Sequence, residues 1–207
     1  MHRGARAGSR RYGVAAVLYA IALLVSPATQ AASVEKEGVT SCTINAFAID
    51  PDPKGSNIRS APRADAPVIG HLPPRVHLSP VDIVGAEFEI IGSKDGWLLI
   101  QNAEATVDEQ LNTVHAFEGP GWLSGRLVGV TLGSANLRAQ PRRDAAIIAR
   151  LANAKEGWGA DSYRVSGIHA CAGDFVDVTT AWPQKLRGWS WKPCSSQLTT
   201  CDRSSSE

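Results

Sequence analysis

The chain has 207 residues, 21 of them basic and 20 acidic, with 12 prolines and 19 glycines. Charges of both signs are interspersed, so there is no basic face of the kind that phosphate neutralisation requires, and a nucleic-acid partner is excluded. So much proline and glycine also cuts the chain into pieces too short for a helical core, which leaves short strands as the building material.

The first predicted element is a leader. Arg3, Arg6, Arg10 and Arg11 precede an apolar run of twelve residues, Val14 to Val25, that ends at Ser26-Pro27. This run is too short to span a bilayer. Thr29 and Ala31 supply the small residues of a cleavage site after Ala31, so residues 1–31 read as a secretory signal peptide. Ser9-Arg10-Arg11 resembles a twin-arginine start, but Gly13 and Ala15 stand where that pattern has a large apolar residue and a lysine. No cysteine stands at the cleavage point, so no stable membrane anchor is expected. The mature chain would begin at Ala32 with 17 basic against 20 acidic residues, a net charge of −3, in the periplasm or outside the cell.

A first strand is predicted over Thr43–Ile49, followed by the turn-forming Asp50-Pro51-Asp52-Pro53-Lys54-Gly55. Then comes a segment that the chain uses twice. Residues 57–72, NIRSAPRADAPVIGHL, align without a gap on residues 136–151, NLRAQPRRDAAIIARL, with eight of sixteen positions identical. Most other positions exchange like for like, which is the signature of an internal repeat. Further strands are predicted at Glu87–Ile91, Trp97–Gln101, Tyr163–His169 and Phe175–Thr179, bounded by turns such as Ser93-Lys94-Asp95-Gly96 and Ala172-Gly173-Asp174. The repeat also continues downstream. Gly96-Trp97-Leu98-Leu99-Ile100 is echoed by Asp174-Phe175-Val176-Asp177-Val178, and Gly121-Trp122-Leu123-Ser124 by Gly188-Trp189-Ser190-Trp191. Helical turns are expected only at Leu123–Val128 and Ala152–Glu156. Two units therefore span residues 42–128 and 129–202, and the short joint Val128-Gly129-Val130 favours fixed packing of one on the other.

These motifs resemble those of bacterial SH3 domains. The family pattern is an Asn-x-Arg-Ser-x-Pro turn, a Val-Ile-Gly-x-Leu strand, a Gly-Trp strand and a closing Gly-Trp-Val strand. It is met here by Asn57 to Pro62, Val68 to Leu72, Gly96-Trp97 and Gly121-Trp122-Leu123. The second unit departs from it at Ala139-Gln140, Ala149 and Phe175 but keeps the order. The resemblance implies an all-β fold of two tandem SH3-like small barrels, each of five or six strands. Its relatives often recognise cell-wall peptides or tether an enzyme to the wall. The resemblance implies no catalysis and no cofactor, and residues 42–202 leave no room for a separate catalytic domain.

The candidate ligand contacts are Arg59 and Arg138 at the loop lips, with Trp122, Trp158, Trp182 and Trp191. An arginine in such a loop equally serves to pin it to carbonyls, and Asn57 and Asn136 read as turn formers. Trp97 and Trp189 are expected in the core or on a groove floor, Trp122 and Trp191 along an edge groove, and Trp158 and Trp182 in loops. The insertion 102–119 carries Glu104, Asp108, Glu109 and Glu118 and reads as a long acidic loop that suits a basic or amine-bearing partner.

Cys42, Cys171, Cys194 and Cys201 are an even set in an exported chain and so form two disulfides. Three pairings exist. If the last three strands form a meander, Cys171 and Cys194 share one end of the sheet, which favours that pair and leaves Cys42 for Cys201. The rival is Cys194 with Cys201, which have six residues between them. A zinc site lacks both a CxxC pair and a histidine at ligand spacing. His71, His77, His115 and His169 stand apart with no HExxH, and no GxSxG elbow occurs, so neither a catalytic nor a metal site is expected. Two functions fit: a module that binds cell-wall peptide, or an adaptor that holds an envelope protein.

Overall fold

The computed structural model describes residues 1–2, 33–151, 157 and 159–201. By internal contacts the chain divides into Met1–Ala31 and Ala32–Glu207, and the account below concerns the second. The cleavage site, the turn expected at Ala152–Glu156 and the side chain of Trp158 lie outside the described residues.

The chain is all-β. In order, the strands are β1 (Thr40–Ala48), β2 (Ser56–Arg59), β3 (Val68–Leu72), β4 (Val76–His77), β5 (Ile83–Val84), β6 (Glu87–Lys94), β7 (Trp97–Thr106), β8 (Thr113–Phe117), β9 (Gly121–Ser124) and β10 (Val128–Gly129). They continue as β11 (Asn136–Arg138), β12 (Ile147–Arg150), β13 (Arg164–Ala172), β14 (Phe175–Trp182) and β15 (Arg187–Trp191). Short 3-10 turns occupy Gly125–Leu127 and Ala160–Ser162. The expected strands are all present, several of them longer than their apolar patterns suggested, because hairpin partners carry the ladder past the apolar run. Among the described residues, no helix is long and apolar enough to cross a membrane.

One sheet runs β10-β1-β6-β7-β9-β2-β3 with β8 paired to β7, a second runs β12-β11-β15-β14-β13, and β4 pairs with β5 alone. Five strands of the first sheet, β6-β7-β9-β2-β3, thus have counterparts in the same order, β13-β14-β15-β11-β12. The register agrees around the two equivalent tryptophans. Arg59 pairs with Trp122 and Leu99 with Trp122, as Arg138 pairs with Trp189 and Asp177 with Trp189.

The loop inside each repeat is built from the same bonds. Ser60 N donates to Pro67 O at 3.0 Å, Arg63 N to Ala61 O at 2.8 Å and Ala66 N to Arg63 O at 3.3 Å. In the second repeat Ala139 N donates to Ala146 O at 2.9 Å, Arg142 N to Gln140 O at 2.8 Å and Ala145 N to Arg142 O at 3.2 Å. The proline and the paired Arg-Asp residues shape this turn locally, with Arg63–Asp65 and Arg142–Asp144 ion pairs at 3.3 and 3.4 Å. These pairs are exposed and contribute little to stability.

A continuous core joins the two repeats, from Ile44, Ile58, Ile90, Leu98 and Leu123 through Val128, Val130 and Leu132 to Leu137, Leu151, Val176 and Val178. The joint is tight. A Cβ on Gly125 would sit against the carbonyl of Ile168, so only glycine lets the end of the first repeat meet β13. Beside it, Ser93 Oγ accepts from Cys171 N at 2.9 Å, while Thr43 N donates to Gly173 O and Gly173 N to Ser41 O.

Two expectations are corrected. The insertion 102–119 is a hairpin and not a loop: β7 continues to Thr106 and β8 returns along it. Its turn is made by Asp108, whose carboxylate accepts from Gln110 N at 3.0 Å and from Asn112 N and Nδ2 at 3.1 and 2.8 Å. The side-chain bond from Asn112 is the main reason the Asp108 carboxyl lies below its usual range. The Phe117 ring anchors the hairpin where a Cβ on Gly70 or Gly121 would otherwise stand.

The disulfides are Cys42–Cys171 and Cys194–Cys201, each with 5.8 Å between Cα atoms. The favoured pairing of Cys171 with Cys194 is therefore wrong, and the rival for Cys194 is right. After β15 the chain turns at Lys192, with φ +43°, and Cys194 bonds main chain to main chain with Thr131. Cys171 instead meets Cys42, because β1 bridges Gly173 beside it. Two disulfides fit an oxidising, exported environment.

Candidate functional site

Strand alternation gives each repeat a core face and an outer face. In the first repeat Ile58, Leu98, Ile100 and Leu123 face the core, and Arg59, Leu99 and Trp122 share the outer face. Trp122 is nonetheless 0 % exposed.

Its cover is the segment just before β1. Glu35 N donates to Ser60 O at 2.8 Å, and the Trp122 indole N–H donates to Glu35 O at 2.8 Å. The Glu35 carboxylate accepts from Lys94 Nζ at 2.8 Å and faces Arg63 Nη1 at 3.4 Å. Lys94 also donates to Glu37 O at 2.9 Å. Residues 33–37 thus form a strap held by three main-chain contacts and one carboxylate. The hydrogen bond from Lys94, with smaller contributions from the charges of Lys94 and Arg63, holds the Glu35 carboxyl below its usual range, and the bond to Glu35 raises Lys94.

Among the described residues, the second repeat carries no such strap. Trp189, in the register position of Trp122, is half-buried, and Ala139 and Gln140 are exposed where Ser60 and Ala61 are buried. Trp191 pairs with Phe175 one step along the same face. Arg143 and Lys192 both lie over the Trp191 ring, 4.4 and 5.0 Å from its centroid. In the place of Leu99 stands Asp177, buried and gripped by the Arg187 guanidinium, with Nη2 to Oδ2 at 2.8 Å. That hydrogen bond raises the Arg187 pKa beyond its ordinary range. The face therefore offers flat rings and a rim of cations.

The sequence candidates do not form one site. Arg59 Nη1 donates to Ala66 O at 2.7 Å and Arg138 Nη1 to Ala145 O at 2.9 Å, so both arginines tie down their own loops. Trp122 does not line a groove, because the strap seals it. Trp97 and Trp189, expected in the core or on a groove floor, are half-buried on the outer faces. Trp182 is 49 % exposed but stands at the far end of β14 from Phe175 and Trp191, roughly 23 Å away at about 3.3 Å per residue. Of the six candidate contacts, Arg59, Arg138, Trp122, Trp158, Trp182 and Trp191, Trp191 alone is placed on the open face, and Trp158 lies outside the described residues.

Sequence reasoning missed the strap, which is too short and polar to mark itself. It also missed a cleft of ≈ 470 Å³ where the repeats meet, lined by Trp97, Arg126, Ser166, His169, Thr179 and Lys185. There His169 Nε2 lies 2.8 Å from Thr179 Oγ1, and Ser166 Oγ donates to Thr179 O at 3.1 Å. These residues come from elements far apart in the chain, so no local motif signals the cleft. Compared with protein-family models, curated proteins and solved structures, the chain matches none of them.

Proposed function

We propose that the chain is an exported, non-catalytic binding module of the cell envelope, built from two SH3-like small barrels of the bacterial SH3 type, that recognises cell-wall peptides. The common strand order and the recurring Asn-x-Arg loop support the tandem reading. The open outer face of the second repeat carries the binding reading. The half-buried Trp189 and Trp191 there offer ring area to a peptide backbone, with the exposed Lys192 at its edge for peptide carboxylates.

All four cysteines are in disulfides, and His71, His77, His115 and His169 stand on four different strands, β3, β4, β8 and β13, which supports a binding role over a nucleophilic one. Purified mature protein is expected to co-sediment with isolated cell-wall sacculi at low salt. A protein that stays in the supernatant would end this reading.

One observation favours a second reading, an adaptor that holds an envelope protein. The outer face of the first repeat is occupied by a stretch of ordinary polypeptide. Crosslinking in the periplasm would then yield one dominant protein partner and no glycan-peptide fragments.

A further inference from the structure

The cleft of ≈ 470 Å³ where the repeats meet is built from both of them and is whole in neither. Trp97 comes from the start of β7 and Arg126 from the 3-10 turn that ends the first repeat. Ser166 and His169 stand on β13, Thr179 on β14 and Lys185 in the turn before β15. Gly167, also on the lining, lies so close to the first repeat that a Cβ there would stand 3.3 Å from the Gly125 carbonyl oxygen. The repeats therefore meet main chain to main chain along the cleft, and its volume falls within the range of about 300 to 1,000 Å³ of small-ligand sites.

Three kinds of group line it. The first is a ring, that of the half-buried Trp97. The second is polar. Among the described residues the Ser124 hydroxyl makes no hydrogen bond. Ser166 spends its proton on Thr179 O at 3.1 Å, and Thr179 Oγ1 lies 2.8 Å from His169 Nε2, so Ser166 keeps its oxygen lone pairs and His169 its Nδ1 for a further partner. The third is charge. Arg126 and Lys185, one from each repeat, are exposed, and among the described residues neither forms an ion pair. One carboxylate on the lining, Asp95, follows Lys94 in the chain, and its charge bears on that lysine.

Together these groups complement a carboxylated sugar. Its C–H face lies on an indole, its hydroxyls exchange hydrogen bonds with serine and histidine, and its carboxylates take charge-assisted bonds from arginine and lysine. A bare inorganic anion would leave Trp97 unused, and a neutral sugar would leave both cations unused. We infer that the cleft between the repeats binds an acidic saccharide, with its rings against Trp97 and its carboxylates on Arg126 and Lys185. The cleft shares no residue with the peptide face at Trp189 and Trp191, and neither assignment depends on the other.

The test titrates digalacturonate, two linked sugar rings with one carboxylate each, into the mature full chain while NMR follows the indole N–H resonances. The Trp97 resonance is expected to shift and saturate, with Trp189 and Trp191 unmoved. The dimethyl ester of the same disaccharide keeps the shape, loses both charges and should bind about tenfold more weakly or worse. The Arg126→Gln and Lys185→Gln proteins should each bind the acid about tenfold more weakly, the loss of one charge-assisted bond. Both side chains are exposed, so the fold is retained. Lys54→Gln removes an equal charge from the exposed turn before β2 and should leave the affinity unchanged.

An ester that binds as tightly as the acid would overturn the assignment. So would an unchanged affinity in both glutamine variants at the cleft, or a shift at Trp189 or Trp191 in place of Trp97. Tighter binding of adenosine monophosphate at Trp97 would make the cleft a nucleotide site and overturn it as well. Failure here leaves the cell-wall peptide reading standing, because that reading is tested by co-sedimentation with sacculi, and failure there leaves this one standing.

Discussion

Two outer faces built on the same five-strand frame have opposite fates. On the first, Trp122 is sealed by a strap from before β1 and its indole bonds a carbonyl 87 positions away. On the second, Trp189 holds the same place, half-buried and with no strap over it among the described residues, and cations gather on the neighbouring Trp191. The frame therefore sets where a tryptophan stands, and a covering segment supplied from elsewhere sets whether that tryptophan is structure or surface. The core faces differ as well. Leu123 fills the first, whereas its counterpart Ser190 is fully buried and its hydroxyl has no hydrogen-bond partner.

The largest effect should come from cutting the staple that joins the repeats. Cys42–Cys171 closes a loop with sequence separation 129 and Cys194–Cys201 one of 7. In the chain-entropy account, removing the first costs about 5 kcal/mol and the second about 2 kcal/mol. Urea denaturation of the two double Cys→Ser variants measures both, and equal losses would show that the joint does not depend on the long staple.

Next come the paired tryptophans. Trp122→Ala should cost about 4 kcal/mol, as for a fully buried large ring, and Trp189→Ala about half of that. If the two losses match, the second face is as closed as the first. Ser190→Ala should stabilise the fold by about 1 kcal/mol, because it removes a buried hydroxyl that makes no bond. A clear destabilisation in urea denaturation would show that the hydroxyl is satisfied.

The smallest effect is the pH dependence of the strap. A carboxyl held below its ordinary 4.5 stabilises the strap above that pH and stops doing so as pH falls through the lowered value. A lysine raised above its ordinary 10.5 does the reverse, and its contribution is lost as pH climbs through the raised value. Quenching of Trp122 by acrylamide should therefore be minimal between these limits and grow beyond either. Glu35→Gln should flatten the acid limb, and an acid limb that persisted in this variant would assign it to another group.

Much of this was legible in the sequence. Asn57–Leu72 and Asn136–Leu151 gave themselves away as copies because a tight loop depends on local residues, here the proline, the arginine that reaches back to its own loop carbonyl and the Arg-Asp pair. The Gly-Trp echoes placed β7 against β14 and β9 against β15 in the register that the sheets adopt. The hairpin at 102–119 was harder to read, since Asp108 closes a polar turn that composition alone cannot tell from a loop. The choice among tryptophans was harder still, because Trp97, Trp122, Trp189 and Trp191 look alike in local context.

Strand identity, repeat unit and loop shape follow from alternation and turn chemistry within about twenty residues, and the sequence determined these by itself. The pairing of Cys42 with Cys171, the sealing of Trp122 and the opening of Trp189 were decided by tertiary structure alone. Each depends on a segment brought from far along the chain, and no local pattern encodes which distant residues will come to cover a face.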